Sequence, residues 1–315
     1  MRTRTLRGFG IAGAMLLTLA GCATDAPRQA ASGQDKPAPA PEVSERMEAQ
    51  AMAFESFMRN ARSIDPAFAK GADVSQALQV GASHEPRQFE AGMVAYGAMA
   101  AMQEPGFVSG VQRAGRSGDL ARRIAADPSV ALELPGGRAA AGRASAALSR
   151  QAEGLNAAGA RVKKAAYSVQ RQPWSKAKVS NPSGRLAQVK RISTLAYRPE
   201  SGDAAHLREA VAGGGRGGGA PSPLITRAVA LAALSALGDE SRGRALTASE
   251  PRTGSCLRLA KLNLYQCLAS AGPYYEDIYC LGQHAMMETS RCVADATRDP
   301  VRRSPITKAS YTRRE

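Results

Sequence analysis

The 315-residue chain is poor in aromatics, which make up 5% of it with a single tryptophan, and no stretch alternates apolar and polar residues as a half-buried strand would. Alanine is abundant instead, so helix is the expected class throughout. Long hydrophobic runs are also missing. The longest uncharged apolar stretch of the body, Ala228 to Leu237, falls well short of the roughly 20 residues a membrane-spanning helix needs. Histidine is scarce, and His84, His206 and His284 lie in unrelated segments. There is no Gly-x-Ser-x-Gly elbow, His-Glu-x-x-His helix or Walker loop, and the glycine run Gly213–Gly219 has no strand pattern before it and no Gly-Lys-Ser/Thr after it to make it a phosphate-binding loop. These absences argue against an enzyme, a resident cofactor and a metal centre alike.

The N-terminus reads as an address. Arg2, Arg4 and Arg7 precede a short apolar run from Phe9 to Ala20, the arrangement of a secretory signal over residues 1–21. The run ends in Leu19-Ala20-Gly21-Cys22. In these first two dozen residues the chain resembles bacterial lipoprotein precursors, whose lipobox has this Leu-Ala-Gly-Cys form. The resemblance implies cleavage before Cys22, a diacylglycerol on its sulfur and a further acyl chain on its new amine. Several acyl chains, at about 0.8 kcal/mol per buried methylene, make such a membrane anchor effectively permanent. Ala23 follows, not the aspartate that favours inner-membrane retention in enteric lipoproteins. The expected location is therefore the periplasmic face of the outer membrane, with the inner membrane as the alternative. Residues 22–42 carry Pro27, Pro37, Pro39 and Pro41 among small polar residues, the composition of a tether some tens of Å long.

With Cys22 given to lipid, four cysteines remain, an even number in an oxidising compartment. Cys256 and Cys267 lie on one leucine-rich helical stretch, about 16 Å apart at 1.5 Å per residue, too far to bridge each other. Ala271-Gly272-Pro273 breaks that helix, and Cys267 stands about as far before the break as Cys280 stands after it. A helical hairpin stapled by nested disulfides, Cys267–Cys280 inside and Cys256–Cys292 outside, is expected. The twelve residues from Cys280 to Cys292 would leave them about 120° apart on a regular helix, so the second arm needs a distortion or a late start. Zinc is disfavoured, since no cysteine pair has the two-to-four-residue spacing of a zinc site even though His284 follows Cys280 by a turn.

Between tether and hairpin the sequence predicts an all-α bundle with small, alanine-rich packing. Val43, Met47, Ala51, Phe54 and Met58 make one apolar face, and Pro86 opens a helix whose Gly92, Ala95, Gly97, Ala98 and Ala101 invite close backbone approach. The longest candidate, Arg138 to Gln172, carries Leu148, Leu155, Val162 and Val169 at heptad spacing, with Ala152, Gly159 and Ala166 between. Domains are expected at 43–199 (helical body), 200–222 (glycine-rich linker centred on Gly213–Gly219), 223–298 (C-terminal region with the four-cysteine hairpin) and 299–315 (a basic disordered tail).

Charge is uneven. The formal net charge is +15, yet residues 42–104 hold five basic and nine acidic side chains while residues 138–192 hold twelve basic and one acidic. On the long helix Arg143, Arg150, Lys164 and Arg171 share a heptad position, with Lys163 alongside. This stripe is either a solvated face partly neutralised by the acidic N-terminal helices or a contact for anionic envelope components: lipopolysaccharide phosphates, anionic lipid or cell-wall carboxylates. Nucleic acid is disfavoured by the external compartment. The leading expectation is a non-enzymatic binding or scaffolding lipoprotein. Its rival is a protein-recognition module, the hairpin, presented within an envelope assembly on a spacer, and an envelope hydrolase ranks last.

Overall fold

Capping and burial place the first helices where the apolar stripes put them. In the computed structural model, which describes residues 44–215 and 217–298, Ser44 accepts the Met47 N–H at 3.0 Å and starts α1 (Glu45–Arg62) with Glu45 and Glu48 in its first turn. The expected signal peptide 1–21, lipidation site Cys22, tether 22–42 and basic tail 299–315 lie outside the described residues. Next come α2 (Gly71–Ala82) and α3 (Pro86–Met102). Every residue of α3 from Phe89 to Ala101 is buried, because α1, α7 (Gly137–Val169) and α11 (Pro223–Ala236) all pack against it. A helix apolar all round has no solvent face to offer. Its one carboxylate, Glu90, accepts from Ser249 Oγ at 2.6 Å and from the Glu250 N–H.

Between α3 and α7 run α4 (Pro105–Ala114), α5 (Leu120–Ala126) and the one-turn α6 (Val130–Glu133). After α7 come one-turn α8 (Pro173–Lys176), α9 (Pro182–Ile192) and α10 (Asp203–Ala212). One-turn α12 (Glu240–Gly243) then leads to the C-terminal hairpin: α13 (Pro251–Ser270), α14 (Tyr274–Cys280), a π-helical stretch Leu281–Glu288 and α15 (Thr289–Ala296). There is no strand among the described residues, and no described helix is long and apolar enough to cross a membrane.

Two boundaries differ from expectation. Residues 200–222 are not a plain linker: α10 takes ten of these 23 residues, packs against α1 and α3, and buries Leu207 and Val211. Asp203 at its start accepts from Arg59 Nη2 at 2.6 Å and from the Tyr197 hydroxyl. The glycine run does not swing free either, since the Gly217 N–H donates to the Gly142 carbonyl at 2.9 Å and any Cβ on Gly142 would sit 2.6 Å from Gly217 O. Consequently the body and the C-terminal region share a single core. Apolar helix faces on both sides of residue 200 need cover, and each is covered by the other.

The hairpin is stapled as its spacing requires. Cys256–Cys292 and Cys267–Cys280 have Cα separations of 5.6 and 5.7 Å. The 120° mismatch of the second arm is absorbed by the π-helical stretch, where each hydrogen bond reaches one residue further and each residue turns by less than 100°.

Candidate functional site

The whole seam of α7 is buried: Leu148, Leu155, Val162 and Val169, with Ala152, Gly159 and Ala166. It packs against α3, α11, α14, the π stretch and α15, with Gly159 and Lys163 lying against Gly282 of the π stretch and Asn156 within reach of Ser290 of α15. At the C-terminal end of α7, Ala166 and Tyr167, with Gln170 just past the helix, face Tyr275 and Tyr279 of α14 across a groove of about 360 Å³, bordered by the Cys267–Cys280 disulfide.

Tyr167 is 60% exposed, while Tyr275 and Tyr279 are half-buried. The rings of Tyr167 and Tyr279 meet edge to face, with centroids 6.3 Å apart at 81°. Lys163 Nζ lies 5.2 Å from the centre of the Tyr279 ring and donates to Gln283 Oε1 at 2.9 Å, so it braces that ring from behind. Glu276 is the only carboxylate lining the groove. It accepts the Gly272 N–H at 2.8 Å and so serves the hairpin turn. The turn is locked from outside by Arg185 of α9, which pairs with buried Asp277 at 2.5 Å and donates to the Leu268 and Ala271 carbonyls. Burial pushes the Asp277 carboxyl up to about 6, against the pull of Arg185.

The five cations of the expected stripe do not form one open face. Arg143 pairs with Glu104 at 2.7 Å, and Arg143 and Arg150 both lie against the glycine run 213–215. Lys163 is taken up by the hairpin. Only Lys164 and Arg171 are exposed, and neither has a carboxylate partner among the described residues. Lys164 sits three residues before Tyr167 on the same helix, and Arg171 four after it, in the turn past the end of α7. In the same stretch of chain Arg161, Lys176, Lys178, Lys190 and Arg191 are exposed too, and residues 154–199 contain no acid.

The tyrosines are what sequence reasoning missed. Tyr275 and Tyr279 stand at i,i+4 and so share a face, which was a visible signal, but nothing local tied that face to Tyr167 more than 100 residues away. His284, weighed as a zinc ligand, lies 2.8 Å from Glu288, and Cys280 is committed to its disulfide. No family model, curated protein or solved structure matches the chain.

Proposed function

We infer that this is a lipid-anchored, non-enzymatic binding protein of the bacterial envelope, which contacts anionic envelope material through the open basic end of α7 to α9. The observation that carries this reading is the complete pairing of Cys256, Cys267, Cys280 and Cys292, which leaves only Cys22, in a Leu-Ala-Gly-Cys lipobox, for another use. Disulfides of this kind belong to exported proteins, and an exported lipobox cysteine belongs to a membrane anchor.

Charge supports the contact surface. Exposed cations drawn from a stretch of chain without an acid attract polyanions, and that attraction fades with salt. The alternative, a hairpin displayed on a spacer as a recognition module, has less support, because the hairpin lies along α7 and the glycine run lies against it.

Metabolic labelling with a palmitate analogue tests the anchor: label should enter the wild-type chain and not Cys22→Ser. Charge reversal tests the surface. Lys164→Glu with Arg171→Glu should abolish salt-sensitive retention on anionic envelope fractions, whereas Arg143→Glu should act mainly on stability by breaking its pair with Glu104. Retention unchanged by the double reversal would remove the basic end as the contact.

A further inference from the structure

We propose that the groove between α7 and α14 is a saccharide subsite and that its occupant is a carboxylate-bearing glycan strand of the cell wall. This rests on the reading above and adds the ligand class and the residue that selects it. A cationic face alone accepts any polyanion. Here the exposed face of Tyr167 adjoins a groove whose one carboxylate, Glu276, is engaged by the Gly272 N–H, and a bare polyanion has no use for the ring.

Tyr167 presents most of one ring to solvent, and Tyr279, braced by Lys163, stands edge-on to it. Rings with an apolar body and a hydroxyl tip suit a pyranose, whose C–H face is apolar and whose rim is polar. An acyl chain would leave the phenol hydroxyls without partners, and a phosphate would leave the ring faces unused. Lys164 on the last two turns of α7 and Arg171 in the turn just past its end are exposed cations on either side of Tyr167 in the chain. Arg171 adds the planar fork that matches a carboxylate. At about 360 Å³ the groove falls at the small end of ligand sites and takes one or two sugar units. Between Cys22 and Ser44 the chain carries a proline-rich segment long enough to reach some tens of Å from an anchored lipid. That reach suits the wall better than a headgroup in the anchoring membrane itself.

The test uses the whole mature chain, residues 22–315 with Cys22→Ser, sedimented with purified peptidoglycan sacculi across a salt series. Lipopolysaccharide micelles, anionic phospholipid vesicles and polyglutamate serve as the other probes. Expected are saturable binding to sacculi, competition by soluble muropeptides but not by polyglutamate, and at least a tenfold loss in Tyr167→Ala. Tyr167→Phe, which keeps the ring face, should retain most of the binding. Because Tyr167 is largely exposed, circular dichroism and thermal midpoint should be unchanged in both variants. Full binding by Tyr167→Ala, with binding abolished by the Lys164→Glu, Arg171→Glu double variant, would overturn the saccharide subsite and leave the charged surface standing. Retention on micelles or vesicles alone would overturn the wall as occupant. No effect of the double variant on any probe would overturn both readings.

Discussion

Gly159 of α7 and Gly282 of the π stretch face each other so closely that a Cβ on Gly282 would lie 2.9 Å from the Gly159 carbonyl oxygen and 2.5 Å from the Lys163 backbone nitrogen. The long helix and the stapled hairpin meet backbone to backbone, and that contact positions Tyr279 opposite Tyr167. Gly282→Ala should therefore lower stability by about 2–3 kcal/mol, as overpacking against immovable backbone does. Gly272→Ala is the control, since nothing lies within 4 Å of its added carbon and its backbone is not left-handed. Urea unfolding of the two variants checks this, and equal midpoints would mean the helices separate freely.

The two disulfides should contribute unequally. Loops of 36 and 13 residues give, on the chain-entropy account, about 4 kcal/mol for Cys256–Cys292 and about 3 kcal/mol for Cys267–Cys280. Paired serine substitutions compared by denaturant unfolding should show the outer bridge as the costlier loss. The reverse order would mean that the inner bridge holds packing as well as chain ends.

Lys261 is buried between α13, α2 and the end of α9, donating to the Ala82 carbonyl at 2.6 Å and to Ser193 Oγ at 3.1 Å. Burial, opposed by the Glu85 charge, brings its pKa down to about 7, and burial with the Lys261 charge keeps nearby His84 well below its usual value. Above about pH 7 the folded chain gives up the Lys261 proton while the unfolded chain keeps it until its ordinary value of 10.5. The unfolded state thus binds more protons between these limits, and stability rises with pH, by up to about 1.4 kcal/mol per unit. Lys261→Met should flatten that rise between pH 8 and 10, where His84 is neutral in both states. Ser193 Oγ still reaches the Ala82 carbonyl at 3.1 Å in its absence. An unaltered slope in the variant would assign the proton elsewhere.

Arg185 and Asp277 form a pair with 8% and 1% of their side chains exposed. Asp277→Ala leaves a buried guanidinium without its counter-ion, a loss of about 3–5 kcal/mol. Arg185→Met with Asp277→Leu removes both charges and should recover at least half of that. The measurement is thermal or denaturant unfolding at pH 8. A single variant within 1 kcal/mol of wild type would show the pair to be dispensable.

Much of this protein was legible from order along the chain. The helical class, the stripe Met47, Ala51, Phe54 and Met58, the seam of α7 and the nested bridges all follow from relations between residues a few positions apart, or symmetric about one turn. Even the π stretch was foreshadowed by a count of twelve residues where eleven would have fitted. What only the tertiary structure decided is which surfaces face each other: that the glycine run lies on Gly142, that α10 closes on α1, that Arg143 and Arg150 are covered while Lys164 and Arg171 stay open, and that three tyrosines from two distant segments line one groove. Small residues make those choices. Glycine and alanine permit close approach from any direction and carry no sign of their partner, so the pairing appears only when the whole core closes.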